Sequence, residues 1–263
     1  MTGPAIRADA GRIRGLLLDL DGVVHVRGAV LPGSLEAIAK LRTARLPFKF
    51  VTNTTRRPLA RIVADLVALG LDVRQEDVYT PAALALDYLR RRDLKPFLVV
   101  HPELREDFRD LPSGGAEAIV IGDAGEFFTY DLLNETYRKI LRGAPFLALA
   151  KNRNFRDQDG ELSLDAGAFV AGLEYASGRE AIVFGKPAPM FFALALEGLR
   201  CAAKDAAMIG DDAEADVEGA MAAGLSGVLV RTGKYRAGDE TRLRRPPTAI
   251  AEDLHEAVDR LLG

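Results

Sequence analysis

Leu16-Leu17-Leu18-Asp19-Leu20-Asp21-Gly22-Val23-Val24 has the pattern of a short buried strand that ends at two carboxylates and a glycine. Because side chains alternate along a strand, Asp19 and Asp21 are expected on one side and Leu20 on the other. Gly22 lets the backbone leave the strand in a conformation that other residues resist. Two carboxylates about 4 Å apart repel by roughly 4 kcal/mol at an effective dielectric constant of 20, so we expect a cation between them.

The bulk composition is that of a soluble globular protein. The chain has 263 residues, long enough for one large domain or two modest ones, and 48% of them are hydrophobic. A formal charge of −3 gives no indication of the basic surface that binding to nucleic acid or an anionic membrane would need. The single cysteine, Cys201, excludes an intramolecular disulfide, and no apolar stretch is long enough for a membrane span or a signal-peptide core. We therefore expect a cytoplasmic protein.

Short apolar runs alternate with longer segments of helical periodicity, which is typical of a parallel sheet covered by helices. Beyond the opening strand, the pattern predicts strands at 48–51, 95–100, 118–121, 145–150, 181–184, 207–209 and 227–230. It predicts helices at 34–46, 58–70, 81–92, 129–141 and 165–176, one starting at 187, one ending at 223, and a final helix at 249–262. Periodicity alone leaves open whether the middle third continues one sheet or forms a separate insertion.

Polar side chains follow four of the predicted strands. These candidate groups are Asp19 and Asp21, then Thr52 and Asn53, then Lys186, and finally Asp211, Asp212 and Asp216. Taken singly, each has a structural alternative as a surface lysine, a turn or a helix cap. In open parallel sheets, ligands bind outside the carboxyl ends of the strands, so we expect the four sets to converge in one crevice.

The residue types in this crevice indicate phosphoryl chemistry. Carboxylates without a His or Cys cluster favour a hard cation with oxygen ligands, hence Mg²⁺ rather than Zn²⁺. A lysine with a hydroxyl and an amide forms a receptor for phosphate oxygens. One leading acid could attack phosphorus, while the other moves the proton of the leaving group and then of water.

Four motifs resemble, in order and spacing, those of the haloacid dehalogenase-like (HAD) phosphatases. They are Asp19-Leu20-Asp21-Gly22-Val23, Thr52-Asn53, Gly185-Lys186-Pro187, and Gly210-Asp211-Asp212 through Asp216. Three further stretches resemble the subfamily IIA branch, namely 50–55, 152–178 and 230–236. The resemblance covers essentially the whole chain.

This resemblance implies catalytic and phosphate-binding roles for five residues. Asp19 would be the nucleophile and Asp21 the general acid and base. Thr52 and Asn53 would hold the transferring phosphoryl oxygens. Lys186 would balance the charges of the nucleophile and the phosphate.

The resemblance also implies the ligands of Mg²⁺. Asp19 and Asp211 would bind the ion through their side chains, and Asp21 through its backbone carbonyl. Asp212 or Asp216 would support the metal directly or through water, and the sequence does not choose between them.

The fold implied is an α/β HAD-like (Rossmann-like) parallel-sheet core with an inserted α/β C2-type cap. The core would comprise 1–81 and 181–263, and the cap 82–180. Cap loops would set substrate preference, with Asn152 and Arg153 as candidates; the alternative reading of these two is a solvated basic turn. A homodimer is possible within this family.

The sequence thus predicts a Mg²⁺-dependent phosphatase that hydrolyses a small phosphorylated metabolite through an aspartyl phosphate. A dehalogenase would not need the second acid, so Asp21 counts against it. A phosphomutase would keep both acids and stays open as an alternative. A non-catalytic sensor of phosphorylated ligands on the same fold would be expected to have damaged motifs, whereas every motif residue is intact here.

Overall fold

The computed structural model describes residues 13–111, 114–156 and 161–263. These residues form two compact units. The first unit contains 13–52, 63–79 and 186–263, and the second contains 53–62 and 80–185, outside the two gaps.

The elements are numbered along the chain. The strands are β1 (Gly15–Asp19), β2 (His25–Val26), β3 (Ala29–Val30), β4 (Phe48–Val51), β5 (Val78–Tyr79), β6 (Leu94–Val99), β7 (Ala116–Ile121), β8 (Phe146–Ala148), β9 (Asn154–Arg156), β10 (Leu162–Leu164), β11 (Ile182–Val183), β12 (Ala206–Gly210), β13 (Ser226–Val230) and β14 (Ala249–Ala251). The α-helices are α1 (Ser34–Thr43), α2 (Leu59–Ala68), α3 (Pro81–Arg91), α4 (Tyr130–Leu141), α5 (Ala166–Ser177), α6 (Pro189–Leu199), α7 (Gly219–Ala222) and α8 (Leu254–Leu262). Short 3₁₀ helices lie at Gln75–Asp77, Pro102–Phe108, Gly125–Phe127, Ala203–Asp205 and Asp239–Arg242, and Ala213–Glu218 form a π-helical segment.

The first unit is built on a six-stranded parallel sheet with the order β14-β13-β12-β1-β4-β5. β1 lies inside this sheet, between β12 and β4, and Leu16, Leu17 and Leu18 are fully buried. A parallel strand covered on both faces is apolar throughout rather than alternating, which is why this stretch reads as a continuous leucine run. The carboxyl end of β1 is therefore fixed at the middle of one sheet edge.

Helices of the first unit cover this sheet. α1 and α8 pack together, and α6 packs on β1 and β4. The buried residues of α8 are spaced for one apolar face, namely Leu254, Ala257, Val258 and Leu261.

The helix predicted at 249–262 is wrong at its start. Ala249–Ala251 form the edge strand β14, paired with Val228 to Val230 of β13. The carboxylate of Asp253 then accepts the backbone N–H of Glu256 at 2.8 Å and caps α8. Alanine occurs in both strands and helices, so the apolar pattern of 249–262 did not show where β14 ends. The cap residue Asp253 marks the true start of α8.

A small hairpin follows the acidic turn after β1 and was not predicted. β2 and β3 are antiparallel, with His25 opposite Val30. Strands of two residues are too short to show a hydrophobic period, so no sequence signal was available.

The second unit has its own four-stranded parallel sheet, with the order β11-β8-β7-β6. Its buried core joins the sheet to helices α4 and α5 through Val99, Ile119, Ile121, Ile140, Phe146, Ala148, Val170 and Leu173. β9 and β10 form a separate antiparallel pair. The middle third of the chain is therefore a separate sheet and does not continue the first one.

The strand predicted at 181–184 belongs to the second sheet. It is observed as β11, and Ile182 pairs with Leu147 of β8. The sequence placed it in the first unit because a lysine motif follows it, whereas the division falls between Gly185 and Lys186. The other division falls after Tyr79, close to the predicted limit at residue 81, and 53–62 group with the second unit.

No helix within the described ranges combines the length and the apolar character that a membrane span requires.

We expect Asp253→Ala to lower the free energy of unfolding by about 1 kcal/mol, because it removes the side-chain cap of α8. Chemical denaturation followed by circular dichroism measures this change. Asp72→Ala is the matched control, because the Asp72 side chain is 96% exposed; its effect should stay within about 0.5 kcal/mol. Equal stability of the two variants would contradict the capping role of Asp253.

Candidate active site

Two buried carboxylates meet at the carboxyl edge of the first sheet. β1 ends at Asp19, and β12 ends at Gly210, directly before Asp211. The two strands are parallel neighbours with Leu18 opposite Ile209, so both acids emerge at the same edge. Asp19 is 5% exposed and Asp211 is 2% exposed.

Lys186 is the buried cation beside Asp19. The sequence led us to expect a cation between Asp19 and Asp21, but Lys186 lies between Asp19 and Asp216. Its Nζ contacts Oδ1 of Asp19 and lies 2.6 Å from Oδ1 of Asp216. All three side chains are buried. Lys186 reaches this position from the loop after β11 and not from a strand of the first sheet.

An irregular helical segment places Asp216 beside Asp19 and Asp211. It lies in the π-helical segment 213–218 and is 1% exposed. A Cβ placed on Gly210 would lie 2.3 Å from Oδ2 of Asp216, so only glycine at the end of β12 allows this approach. π-Helical turns are rare and occur frequently at functional sites.

Asp212 has a different position from Asp216. Its side chain accepts the backbone N–H groups of Glu214 and Ala215 and caps the π-helical segment. Its Oδ2 lies 3.6 Å from Nζ of Lys234, a side chain that is 61% exposed. Of the two acids between which the sequence did not choose, Asp216 is the one that the structure groups with Asp19 and Asp211.

The donor set fits a hard divalent cation. Asp19, Asp211 and Asp216 each offer a carboxylate oxygen, and these oxygens lie within 4.8 Å of one another. Carboxylate oxygens are the ligands that Mg²⁺ prefers in proteins. Three carboxylates against one ammonium leave two negative charges when all are ionised, which a divalent ion would neutralise.

Burial governs the acid–base behaviour of this cluster. It raises the pKa of Asp19 well above its usual value, and the charges of Asp216 and Asp211 add to that effect while Lys186 opposes it. Burial and the charge of Asp216 raise the pKa of Asp211 to about 7. Burial lowers the pKa of Lys186, but the adjacent charges of Asp19 and Asp216 outweigh it and raise the pKa overall. The lysine therefore stays charged, while the raised pKa values of Asp19 and Asp211 favour their protonated forms until further positive charge is supplied.

Asp21 is set apart from the buried acids. Its side chain is 58% exposed, and its Oδ1 lies 3.6 Å from Nδ1 of His25. Gly22 follows with φ +94°, in the left-handed region that glycine adopts without strain. The exposed carboxylate has the solvent access that exchange of protons with water requires.

Thr52 lies at the same sheet edge. It follows β4, whose last residue, Val51, is paired with Asp19 of β1. Its side chain is buried, and its backbone N–H donates to the carbonyl of Tyr79 at 3.1 Å. Topology alone thus brings Thr52 beside the end of β1.

The remaining predicted residues lie in the second unit. Nδ2 of Asn53 donates to Oδ1 of Asn152 at 3.4 Å, and Nδ2 of Asn152 donates to Oδ2 of Asp165 at 3.1 Å. Asp165 caps α5, so the amide of Asn152 takes part in holding the start of that helix. Arg153 is exposed. The specificity role predicted for Asn152 and Arg153 stays a prediction.

A loop after β13 also reaches the acids, and the sequence had assigned it no role. The hydroxyl of Thr232 donates to the carbonyl of Gly22 at 2.5 Å, and the backbone N–H of Lys234 donates to Oδ2 of Asp211 at 2.6 Å. A signal for this loop existed in the sequence. It follows a strand of the same parallel sheet, so the rule that found the other groups applied to it as well.

Comparison with known families gives two matches along the chain. A family model described as haloacid dehalogenase-like hydrolase matches residues 16–112. A second, described as HAD-hydrolase-like, matches residues 183–257. Together they contain the residues of all four motifs, whereas the predicted cap residues Asn152 and Arg153 lie outside both matches.

Curated relatives align over nearly the full chain. Haloacid dehalogenase-like hydrolase domain-containing protein 2 of Rattus norvegicus is 40% identical over 250 residues, which cover 95% of this chain and 96% of the relative. The phospholysine phosphohistidine inorganic pyrophosphate phosphatase of Homo sapiens is 38% identical over 256 residues, covering 95% and 94% respectively.

A solved structure has the same fold. The 4-nitrophenylphosphatase of Thermotoga maritima superposes with a TM-score of 0.86 at 26% identity, covering 94% of this chain and 97% of that one. The predicted fold class, a parallel-sheet α/β core with an inserted α/β cap, is confirmed.

We expect Lys186→Met to lower the free energy of unfolding by about 3 kcal/mol in EDTA at alkaline pH, because it leaves buried carboxylates without their cation. Added Mg²⁺ should restore part of this loss by supplying positive charge to the same acids. Urea denaturation of parent and variant, each with Mg²⁺ or EDTA, measures both effects.

Lys40→Met is the matched control for that experiment. Lys40 pairs with Asp259 at 2.5 Å, but its side chain is 42% exposed. Removing this pair should cost less than about 1 kcal/mol and should not respond to Mg²⁺. If Lys186→Met were as stable as the parent in EDTA, the buried lysine would not be what balances the acids.

Proposed function

This chain belongs to the haloacid dehalogenase-like hydrolases, as its motifs predicted, and we propose that it is a Mg²⁺-dependent phosphatase of a small phosphorylated metabolite. It is a hydrolase acting on phosphate esters. One observation carries the proposal: Asp19 is buried at the end of β1 in contact with Lys186, beside Asp211 and Asp216. A nucleophile beside a buried ammonium, with two further carboxylates that could help to hold a divalent cation, suits attack on an anionic phosphoryl group.

In the first step, a carboxylate oxygen of Asp19 attacks phosphorus, and the bond between phosphorus and the leaving oxygen breaks. Asp21 donates its proton to that oxygen, so the leaving group departs as a neutral alcohol. The product on the protein is an aspartyl phosphate at Asp19.

In the second step, water attacks the same phosphorus and the bond to the Asp19 oxygen breaks. Asp21, now a carboxylate, takes the proton of the attacking water. Free phosphate leaves, and both acids return to their starting states. The exposure of Asp21 supports this role, because the group must meet both the leaving oxygen and water.

Charge balance is the task of the remaining residues. Lys186 offsets the negative charge of Asp19 and of the incoming phosphate. Asp19, Asp211 and Asp216 would hold Mg²⁺, with the backbone carbonyl of Asp21 as a further ligand. When bound, the ion would neutralise charge that develops on the phosphoryl oxygens. Thr52 would donate to those oxygens, and the role of Asn53 as its partner stays a prediction.

The relatives suggest which phosphorus bonds to test. One is named for phospholysine, phosphohistidine and inorganic pyrophosphate, and a structural neighbour is named for 4-nitrophenyl phosphate. We propose a phosphate monoester as the substrate, with phosphoanhydride and phosphoramide bonds as the next classes. A cytoplasmic location and a homodimer stay predictions.

Phosphate release should be detected with at least one member of a panel of phosphorylated compounds. The panel comprises 4-nitrophenyl phosphate, phosphoglycolate, pyridoxal phosphate, pyrophosphate, phospholysine and phosphohistidine. EDTA should abolish the activity, and Asp19→Asn should lower it by at least about a thousandfold because the amide cannot act as nucleophile.

Asp72→Asn is the control for this panel, since it makes the same chemical change at an exposed site. It should keep the parent activity. Transfer of phosphate between positions of a sugar without release of free phosphate would favour a phosphomutase. Binding of phosphorylated compounds with no turnover of any of them would favour the sensor.

Asp21→Asn should separate the two chemical steps on 4-nitrophenyl phosphate. The nitrophenolate leaving group needs little protonation, so Asp19 should still be phosphorylated, whereas water is no longer activated. We expect a burst of nitrophenolate about equal to the enzyme concentration, followed by turnover about a hundredfold or more slower than the parent. A linear time course at the parent rate would remove Asp21 from the mechanism.

A further inference from the structure

The loop Thr232-Gly233-Lys234, here called the 232–234 loop, ties together two parts of the first unit. It begins two residues after β13 ends at Val230. The hydroxyl of Thr232 donates to the carbonyl of Gly22 at 2.5 Å. Gly22 belongs to the turn that follows Asp19 and Asp21, so this bond connects the loop to the turn that carries the proposed acid and base.

Gly22 and Gly233 pack closely against the carboxylate of Asp211. A Cβ on Gly22 would lie 2.0 Å from Oδ2 of Asp211, and a Cβ on Gly233 would lie at the same distance. The Cβ on Gly233 would also come within 2.5 Å of the Cα of Gly22. Both glycines have positive φ, at +94° and +58°, so neither position accepts another residue without strain.

A backbone donor then orients the carboxylate. The N–H of Lys234 donates to Oδ2 of Asp211 at 2.6 Å, a short bond of the charge-assisted kind. Because Asp211 is 2% exposed, its orientation is set by protein groups. Fixing one carboxylate oxygen also fixes the direction of the other.

We propose that the 232–234 loop is a positioning element that sets the geometry of Asp211 for the divalent cation. The inference rests on the proposed function for the identity of that ion. Thr232 and Gly233 act through Gly22 and Asp211, so they are positioning residues. Groups that hydrogen-bond metal-ligating carboxylates commonly change metal affinity by 10- to 100-fold when they are removed.

The side chain of Lys234 does not orient Asp211. Its Nζ lies 3.6 Å from Oδ2 of Asp212, and the side chain is 61% exposed. The contact with Asp211 comes from the backbone. The side-chain hydroxyl of Thr232 is therefore the group by which mutation can address the loop without touching an acid.

The test is metal binding by the full chain without substrate. Mg²⁺ and Mn²⁺ are titrated into parent, Thr232→Val and Thr232→Ser, with affinity from calorimetry and thermal unfolding measured in parallel. Thr232→Val keeps the shape but removes the donor, and we expect it to bind both ions about tenfold or more weakly. Thr232→Ser keeps the hydroxyl and should stay within about threefold of the parent.

Thr241→Val is the matched control. Its hydroxyl also donates to a glycine carbonyl, that of Gly238 at 2.7 Å, but at an exposed site. Thr241→Val should leave the metal affinity unchanged. This result would show that a weaker affinity in Thr232→Val comes from the effect on Asp211 and not from the loss of a threonine hydroxyl in general. Gly233→Ala should weaken metal binding at least as much as Thr232→Val. If Gly233→Ala fails to fold, the comparison of Thr232→Val with Thr232→Ser still tests the positioning role of the loop.

Unchanged metal affinity in Thr232→Val, with or without a lower melting temperature, would overturn the inference and leave only a structural role. That result would not affect the proposed function, which is tested by phosphate release. If the parent binds metal but hydrolyses nothing, the proposed function fails and the affinities still decide the role of the loop. If the parent binds neither ion, both fail together.

Discussion

The burial of the Lys186 ammonium against Asp19 and Asp216 is the interaction on which the centre of the first unit depends. Neither the ammonium nor a carboxylate would be stable alone in this buried position, because burying an unpaired ion raises the free energy by several kcal/mol. The contact also joins parts of the chain that are far apart, because Asp19 precedes the second unit and Lys186 follows it. This ion pair thus connects the two halves of the first unit at the sheet edge where the chemistry is proposed, in addition to the pairing of β1 with β12.

Most of this edge could be predicted because it follows from strand geometry. Asp19 and Thr52 come directly at the ends of adjacent parallel strands, and Asp211 comes just beyond a third, so sequence order and the rule for parallel sheets are sufficient. Lys186 was predicted from its residue type and motif, although its strand lies in another sheet. Its side chain nevertheless contacts Asp19 and Asp216, because a long side chain can reach the acids from a loop.

Other features depend on contacts that a pattern does not contain. The choice between Asp212 and Asp216 follows from a π-helical segment, which shifts side chains off the usual 3.6-residue spacing. Asn152 was predicted as a candidate for setting substrate preference, and the sequence pattern did not show that its amide bonds to Asp165 and Asn53. The strand β14 and the hairpin β2–β3 were missed because two or three residues cannot show a period.

The position of β1 within its sheet has a consequence for synthesis of the protein. Its neighbour β4 follows closely in the chain, but its other neighbour, β12, begins only at Ala206. At the usual rates of translation, roughly 10 to 40 s separate the emergence of β1 from that of β12. Throughout that time the leucine-rich strand has one unpaired edge, and such edges recruit other chains. We therefore expect the chain to be exposed to aggregation during this interval on the ribosome, and to gain from a chaperone that covers the unpaired edge of β1.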